Sequence, residues 1–296
     1  MTTRRCTIWP RIFLPEKPNG SKMASSKCRW PELSPSPLII AHRGASGVAP
    51  ENTCLALDTA INLGADMVEV DVQMSRDACP VIFHDAHLAR TVRSPQYARR
   101  ALKALRIGDL SATDIKHLDV GSWKSRKFAG LSIPTLAEFL LRCGGRVALN
   151  LELKIENADG TEAQRHALID RLGDALTVYP APESVLISSF DRNMLELARA
   201  ALPQAWLGIL PQPGGVRETF RLAGQLHAIS VHLPCADIRT PAVNLARESG
   251  FRLFAYTANS TFGLRRLIAA GVDGIFTNYP DRLHTLLRQD MPHAKQ

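Results

Sequence analysis

The chain has 296 residues, of which 45% are hydrophobic, enough for one large buried core or two ordinary ones. No apolar run approaches the roughly 20 residues that span a bilayer, and the basic start (Arg4, Arg5, Arg11) lacks the apolar stretch of a secretory signal. The net charge of +8 is concentrated at one end: residues 1–37 carry seven Lys/Arg against two Asp/Glu, and the remainder 29 against 26, which argues against a nucleic-acid-binding surface on the folded part.

Residues 1–37, rich in Pro, Ser and Lys, are expected to be a disordered basic tail, with Met23 as an alternative start. From residue 38 short apolar strands alternate with amphipathic helices, the pattern of an α/β fold with a parallel sheet. Strands are predicted at 38–41 (LIIA), 67–72 (MVEVDV), 81–84 (VIFH), 147–153 (VALNLEL), 185–190 (VLISSF), 205–210 (AWLGIL), 228–232 (AISVH), 252–257 (RLFAYT) and 274–277 (GIFT). Helices are predicted over 53–63, with Asn52 as N-cap, and over 134–143, 162–177, 191–201, 216–225, 240–249, 260–270 and 280–289. Residues 291–296 are expected to be a disordered C-terminus.

One strand pair breaks the alternation. Only "QMSRDACP" separates Val72 from Val81, too short for a crossover between parallel strands. Residues 67–84 therefore read as a long strand folding back as a hairpin. Without the returning arm, eight strands each precede a helix, which predicts a (β/α)8 TIM barrel. Residues 86–133 then form an insertion after the strand 2 hairpin, expected to act as a lid or cap.

In such a barrel chemistry belongs at the C-terminal ends of the strands. Alternation in "MVEVDV" puts Glu69 and Asp71 on one face against Val68, Val70 and Val72. In "VALNLELK" it puts Asn150, Glu152 and Lys154 opposite Leu149, Leu151 and Leu153. The aliphatic face must pack on helices, so three carboxylates converge inside the barrel. Like charges resist ionising together in a confined space. A divalent cation resolves the repulsion, and Mg²⁺ or Ca²⁺ suits oxygen ligands. Either acidic motif alone would be an ordinary solvated face; their shared placement at strand ends is what points to a site.

His42 ends the first strand and His84 ends the hairpin arm that returns beside Asp71, as expected of a general acid and a general base. Arg43 offers a planar fork for phosphate, its alternative being a surface salt bridge. The Gly44–Gly47 turn would bring backbone close to a bound group, and the helix after Asn52 would add a weak positive pole. Positive groups and a metal around an anion suit phosphoester cleavage. Walker-type loops and a GxSxG nucleophile motif are missing from the sequence.

The segments "AHRGASGVAPENT", "VEVDVQMSRDACPVIFHD", "LNLELK" and "GVDGIFTNYPD" resemble the glycerophosphodiester phosphodiesterase family, nearest to the bacterial cytoplasmic type associated with glycerol-3-phosphate uptake, and "DVGSWKSRKFAG…IPTL" resembles that family's insertion. The resemblance covers roughly residues 38–290. It implies a phospholipase-C-like phosphodiesterase barrel that hydrolyses glycerophosphodiesters, such as glycerophosphocholine or glycerophosphoethanolamine, to sn-glycerol 3-phosphate and an alcohol. It also implies metal ligands at Glu69, Asp71 and Glu152, an acid/base pair at His42 and His84, phosphate contacts at Arg43 and Lys154, and a supporting role for Glu51, toward the metal or its neighbours.

Departures from the family pattern are Tyr256, where many relatives have Trp, and Asn278, where Asp is frequent. Tyr256 would flank the glycerol moiety or serve as a core residue; Phe190 is expected to shape the pocket mouth, and His232 to be structural. The competing readings are a lysophospholipase D-type phosphodiesterase and a non-catalytic glycerophosphodiester-binding barrel. The six cysteines (Cys6, Cys28, Cys54, Cys79, Cys143, Cys235) show no CxxC pairing and read as reduced thiols of a cytoplasmic protein. The expected partner is the small-molecule substrate, with no nucleic acid and no stable membrane insertion, in a monomer or homodimer.

Overall fold

The apolar run after the basic segment forms β1 (Leu38–His42), whose first four residues are buried. The structure is a computed structural model and describes residues 36–155 and 161–290; residues 1–35 of the expected tail, with its alternative start, and the C-terminal six residues lie outside the described residues. The remaining strands are β2 (Met67–Met74), β3 (Pro80–Ile82), β4 (Ala148–Leu153), β5 (Val185–Ser189), β6 (Trp206–Ile209), β7 (Ser230–Pro234), β8 (Arg252–Tyr256) and β9 (Gly274–Thr277). Strand order is β1-β9-β8-β7-β6-β5-β4-β2-β3, and β1 also pairs with β2. Eight strands thus close into a parallel barrel. β3 stands outside it, antiparallel to β2 through Val72↔Ile82, Gln73↔Val81 and Met74↔Pro80, which is the hairpin inferred from the short connection.

The helices are α1 (Cys54–Asn62), α2 (Arg99–Leu102), α3 (Ala112–Lys116), α4 (Leu136–Cys143), α5 (Glu162–Thr177), α6 (Arg192–Ala201), α7 (Val216–Gln225), α8 (Thr240–Ser249), α9 (Thr261–Ala270) and α10 (Pro280–Asp290). Their ends follow local chemistry. Thr135, Thr161, Asp191 and Ser260 accept from the backbone N–H three residues on and satisfy an otherwise orphaned donor. Gly144, Gly250 and Gly271 close α4, α8 and α9 in the left-handed conformation. One expected cap is corrected. Thr53, not Asn52, caps α1, its side chain accepting from Ala56 N, and Asn52 serves the site described below. Among the described residues no helix is long and apolar enough to cross a membrane.

Alternation along the strands divides the core. The outward faces carry Val68, Val70, Val72, Leu149, Leu151 and Leu153 into one large cluster with the helices. The inward faces carry Leu38, Ile40, Met67, Ala148, Leu186, Phe254 and Phe276, which form a separate cluster inside the barrel. This plug fills the lumen below the acidic layer, because the inward positions two residues beyond Met67 and Ala148 are polar: Glu69 and Asn150, which pair in register. His232, expected to be structural, packs against Phe254 and Phe276 of the plug. It is fully buried, stacks on Phe254 with ring centroids 5.1 Å apart, and shares a 2.9 Å hydrogen bond with Ser230 Oγ. Burial holds its pKa down at about 3, so it is neutral.

The ring of His232 fits because β6 has Gly208 beside it; a Cβ there would lie 2.5 Å from His232 Nε2. Gly208→Ala is therefore expected to destabilise the fold by about 1–3 kcal/mol, the usual result of overpacking. Chemical denaturation with an unchanged m-value would show it, and a wild-type midpoint would contradict this account of the plug.

The insertion has its own small core of Leu88, Val92, Leu102, Ile107, Leu110, Ile115, Leu118, Val120 and Ile133, packed on Val81 and Phe83 of the hairpin arm. Asp119 organises its loop, accepting from the backbone N–H groups of Gly121, Ser122 and Gly130. Lys124 reaches out of it to donate to the Ser46 carbonyl at 2.6 Å, joining the insertion to the turn after β1.

Candidate active site

The ladders fix which side chains meet. His42 pairs in register with Glu69, Glu69 with Asn150, and Asp71 with Glu152. Each parallel strand runs in the same direction, so these residues share the C-terminal end of the barrel. Oxygens of Glu69, Asp71 and Glu152 all lie within 4.8 Å of one another, the convergence expected from strand alternation.

Two cations serve these three carboxylates. Lys154 Nζ lies 2.9 Å from Asp71 Oδ1 and 3.2 Å from Glu152 Oε1; Arg43 Nε lies 3.4 Å from Asp71 Oδ2. Asp71 receives most of this charge. Burial would raise its pKa, but Lys154 and Arg43 outweigh burial and hold it at about 2. Glu69 is pushed well above its ordinary value, by burial first and then by the charges of Asp71 and Glu152. Glu152 is raised for the same reasons, burial and then Asp71. Glu69 Oε2 accepts from the Arg43 backbone N–H at 2.8 Å, whereas Oε1 is buried with no hydrogen-bond partner. An orphaned, buried carboxylate oxygen facing two further carboxylates is the donor set that a hard divalent cation completes. The residues present thus fit a metal.

The loop after β1 is shaped to deliver its backbone. Arg43 and Asn52 both have φ of 57°, an uncommon conformation for residues with a side chain. At Arg43 it turns the amide toward Glu69. At Asn52 it brings a buried carboxamide beside β2, where Nδ2 donates to Asp71 Oδ2 at 2.8 Å and Oδ1 accepts from Asp71 N at 3.3 Å. The glycines of this loop have a packing role that the sequence did not suggest. Gly44 (φ 75°) lies against Ala56 of α1, where a Cβ would come within 2.7 Å of backbone, and Gly47 lies against the Tyr279 ring. They permit close packing of the loop on the scaffold. The first residues of α1 line a groove with Lys116, Glu138 and Arg142.

The two histidines have different partners. His42 Nδ1–H donates to Asn278 Oδ1 at 2.8 Å, and Asn278 is itself fixed by a bond from its N–H to Asn259 Oδ1. Burial first, and then Arg43, push His42 down to about 4. His84 Nδ1 is 2.8 Å from Asp85 Oδ1. The backbone carbonyls of His84 and Asp85 both accept from Gln73 Nε2, which continues the inward face of β2 beyond Asp71. Glu51 lies outside the carboxylate triad. Its oxygens accept from Arg43 Nη1 at 2.8 Å and from Arg90 of the insertion at 2.6 and 2.8 Å.

At the rim, Tyr256 ends β8 with its ring edge-on to Phe276 at 6.2 Å, and burial, with the nearby Glu152 charge, raises its hydroxyl pKa. Phe190 follows β5 with half its surface exposed. Of the groups gathered here, Asn52, Gln73, Asp85 and Arg90 were not assigned to the site from sequence. Asp85 and Gln73 had a usable signal, the "HD" pair and the continued alternation of "EVDVQ"; Arg90 had none.

A (β/α)8 barrel with this cluster of acids, imidazoles and fixed cations at its C-terminal face has the architecture of a barrel phosphodiesterase. A profile of the Glycerophosphoryl diester phosphodiesterase family matches residues 42–282, and the chain belongs to that family. A glycerophosphodiester phosphodiesterase of Caldanaerobacter subterraneus is 35% identical over 255 residues, covering 85% of this chain and 98% of the relative. One from Bacillus subtilis is 30% identical over 271 residues, covering 85% and 87%. Among solved structures, a phosphodiesterase of Oleispira antarctica in complex with the product sn-glycerol-3-phosphate superposes with a TM-score of 0.76 at 30% identity, covering 86% of this chain and 97% of that one.

Proposed function

We propose that the protein hydrolyses glycerophosphodiesters, glycerophosphocholine and glycerophosphoethanolamine among them, to sn-glycerol 3-phosphate and an alcohol, with Mg²⁺ or Ca²⁺ held by Glu69, Asp71 and Glu152. The observation that carries this reading is the buried acidic triad with an unpartnered oxygen, accompanied by two histidines that each have an Nδ1 partner and interact with the charge of Asp71. The solved Oleispira relative that holds the product glycerol phosphate supports the choice of substrate.

The bound cation would supply Lewis-acid stabilisation of charge developing on the phosphoryl group. Everything else falls to the chain. Arg43 and Lys154 are held in place by Glu51, Asp71 and Glu152 and bind the remaining phosphoryl oxygens. His42, neutral at neutral pH with its Nδ1–H donating to Asn278 Oδ1, accepts the proton of the nucleophile at Nε2. That nucleophile is water, or the substrate's own 2-hydroxyl, in which case a cyclic phosphate forms first and water then opens it to glycerol 3-phosphate. His84, oriented by Asp85, protonates the leaving alkoxide. Tyr256 and Phe190 line the approach to the glycerol side.

Release of glycerol 3-phosphate from a panel of glycerophosphodiesters, after EDTA treatment and after readdition of single metals, tests the whole reading. Turnover of at least one diester, lost with EDTA and restored by Mg²⁺ or Ca²⁺, is the expected result. Full activity in EDTA would remove the metal, and no release from any diester would remove the substrate class.

A further inference from the structure

The insertion contributes one side chain that touches both halves of the site. Arg90 donates through Nε and Nη2 to the two oxygens of Asp85 at 2.6 and 2.8 Å, and through Nη1 and Nη2 to the two oxygens of Glu51 at 2.8 and 2.6 Å. Glu51 Oε1 in turn accepts from Arg43 Nη1, and Asp85 Oδ1 lies against His84 Nδ1. Arg43, Glu51, Arg90, Asp85 and His84 thus form an unbroken chain from the phosphate-holding fork to one imidazole. We infer that Arg90 is a positioning residue that fixes Arg43 through Glu51 and His84 through Asp85, and that this is what the insertion supplies to the reaction. The inference rests on the hydrolytic reading above.

An exposed ion pair would be worth little, but this is not a single pair. Only a planar guanidinium offers two donor edges at fixed angles, so lysine cannot reproduce the double fork. Without Arg90, two carboxylates would face each other across the gap, repel, and lose the geometry they impose on Arg43 and His84. The guanidinium is also backed from within the insertion: the Trp123 ring lies 5.8 Å from Arg90 Cζ, and the neighbouring Lys124 ties that segment to the loop after β1. The Arg90 side chain remains 45% exposed, so the space left by its removal is open to a small solute.

Arg90→Ala is expected to lower kcat/KM about 10–100-fold, the usual effect of removing a group that orients site residues. KM should rise as in Glu51→Gln and kcat fall as in Asp85→Asn, because one side chain serves both. Millimolar ethylguanidinium should restore activity severalfold, and ethylammonium at the same concentration should not. Wild-type kcat/KM in Arg90→Ala, or equal rescue by the two cations, would overturn the inference. Should that variant not fold, Arg90→Lys keeps the charge without the fork, and full activity in it would also overturn the inference. A readout independent of turnover is the ring ¹⁵N signals of His84, assigned by their loss in His84→Gln. Movement of those signals in Arg90→Ala supports the clamp, and unchanged signals defeat it. A wild-type protein that hydrolyses no glycerophosphodiester would defeat the functional reading alone, leaving the His84 signals to decide the clamp.

Discussion

Replacing His84 with glutamine is expected to lower kcat for glycerophosphodiester hydrolysis by roughly 10²–10⁴-fold, the contribution of a positioned proton-transfer group, while KM changes far less. The ring is held at one nitrogen by Asp85 and its backbone by Gln73, so its second nitrogen is available to a leaving group without reorganisation. His42→Gln should fall as far for the same reason on the other side: its Nδ1–H is committed to Asn278. Neither ring belongs to the interior plug that holds the barrel, so melting points should stay close to wild type and separate lost chemistry from lost folding. Steady-state kinetics of both single variants, with thermal melts of each, are the measurement. Near-wild-type turnover in both would exclude the pair from the reaction.

The second large effect concerns the acidic triad without and with metal. Glu69→Gln is expected to abolish metal-dependent activity and at the same time to stabilise the metal-free protein, since a buried charge that lacks a partner is costly. The sign with pH follows from the raised carboxyls. In the metal-free fold, Glu69 and Glu152 retain protons above their ordinary value of 4.5. Their contribution to stability is therefore complete below that value and is lost as pH rises through the raised one. Asp71, held at about 2, behaves oppositely, and its contribution is lost only on acidification well below 3.8. Metal-free wild type should thus melt progressively lower as pH rises above the ordinary carboxyl value of 4.5, and the slope should be shallower in Glu69→Gln. Metal at about 100 times its dissociation constant should add about 2.7 kcal/mol, or roughly 5–10 °C for a domain of this size. Calorimetric melts at a series of rising pH values, with EDTA or with Mg²⁺ or Ca²⁺, decide it. A wild-type midpoint independent of metal would remove the triad as a cation site.

Much of the site was legible because the information is local. Strand alternation is a two-residue rule, so "MVEVDV" and "VALNLELK" announce inward carboxylates without any knowledge of their partners, and the C-terminal ends of parallel strands share one face. Helix ends are equally local: Thr135, Thr161, Asp191 and Ser260 reach only three residues ahead. Asn52 shows where local reading fails. It precedes a helix and resembles a cap, yet its carboxamide is drawn 19 residues away to Asp71. Asn278, read only as a departure from the family pattern, turns out to hold His42 from 236 residues away. That Ala56 and Tyr279 pack on Gly44 and Gly47 was not legible either, because a sequence does not say what packs on a loop.

By itself, then, the sequence determined the barrel, the returning hairpin, the inward acids and the two imidazoles, because each follows from periodicity, loop length or residue chemistry within a few positions. Tertiary structure alone decided that Glu51 serves arginines rather than joining the triad, that Glu69 retains an unpartnered oxygen, and that Arg90 bridges Glu51 and Asp85. Those are questions of which charge reaches which, and the answer depends on angles and distances of a few ångströms set by closing the barrel and seating the insertion beside it.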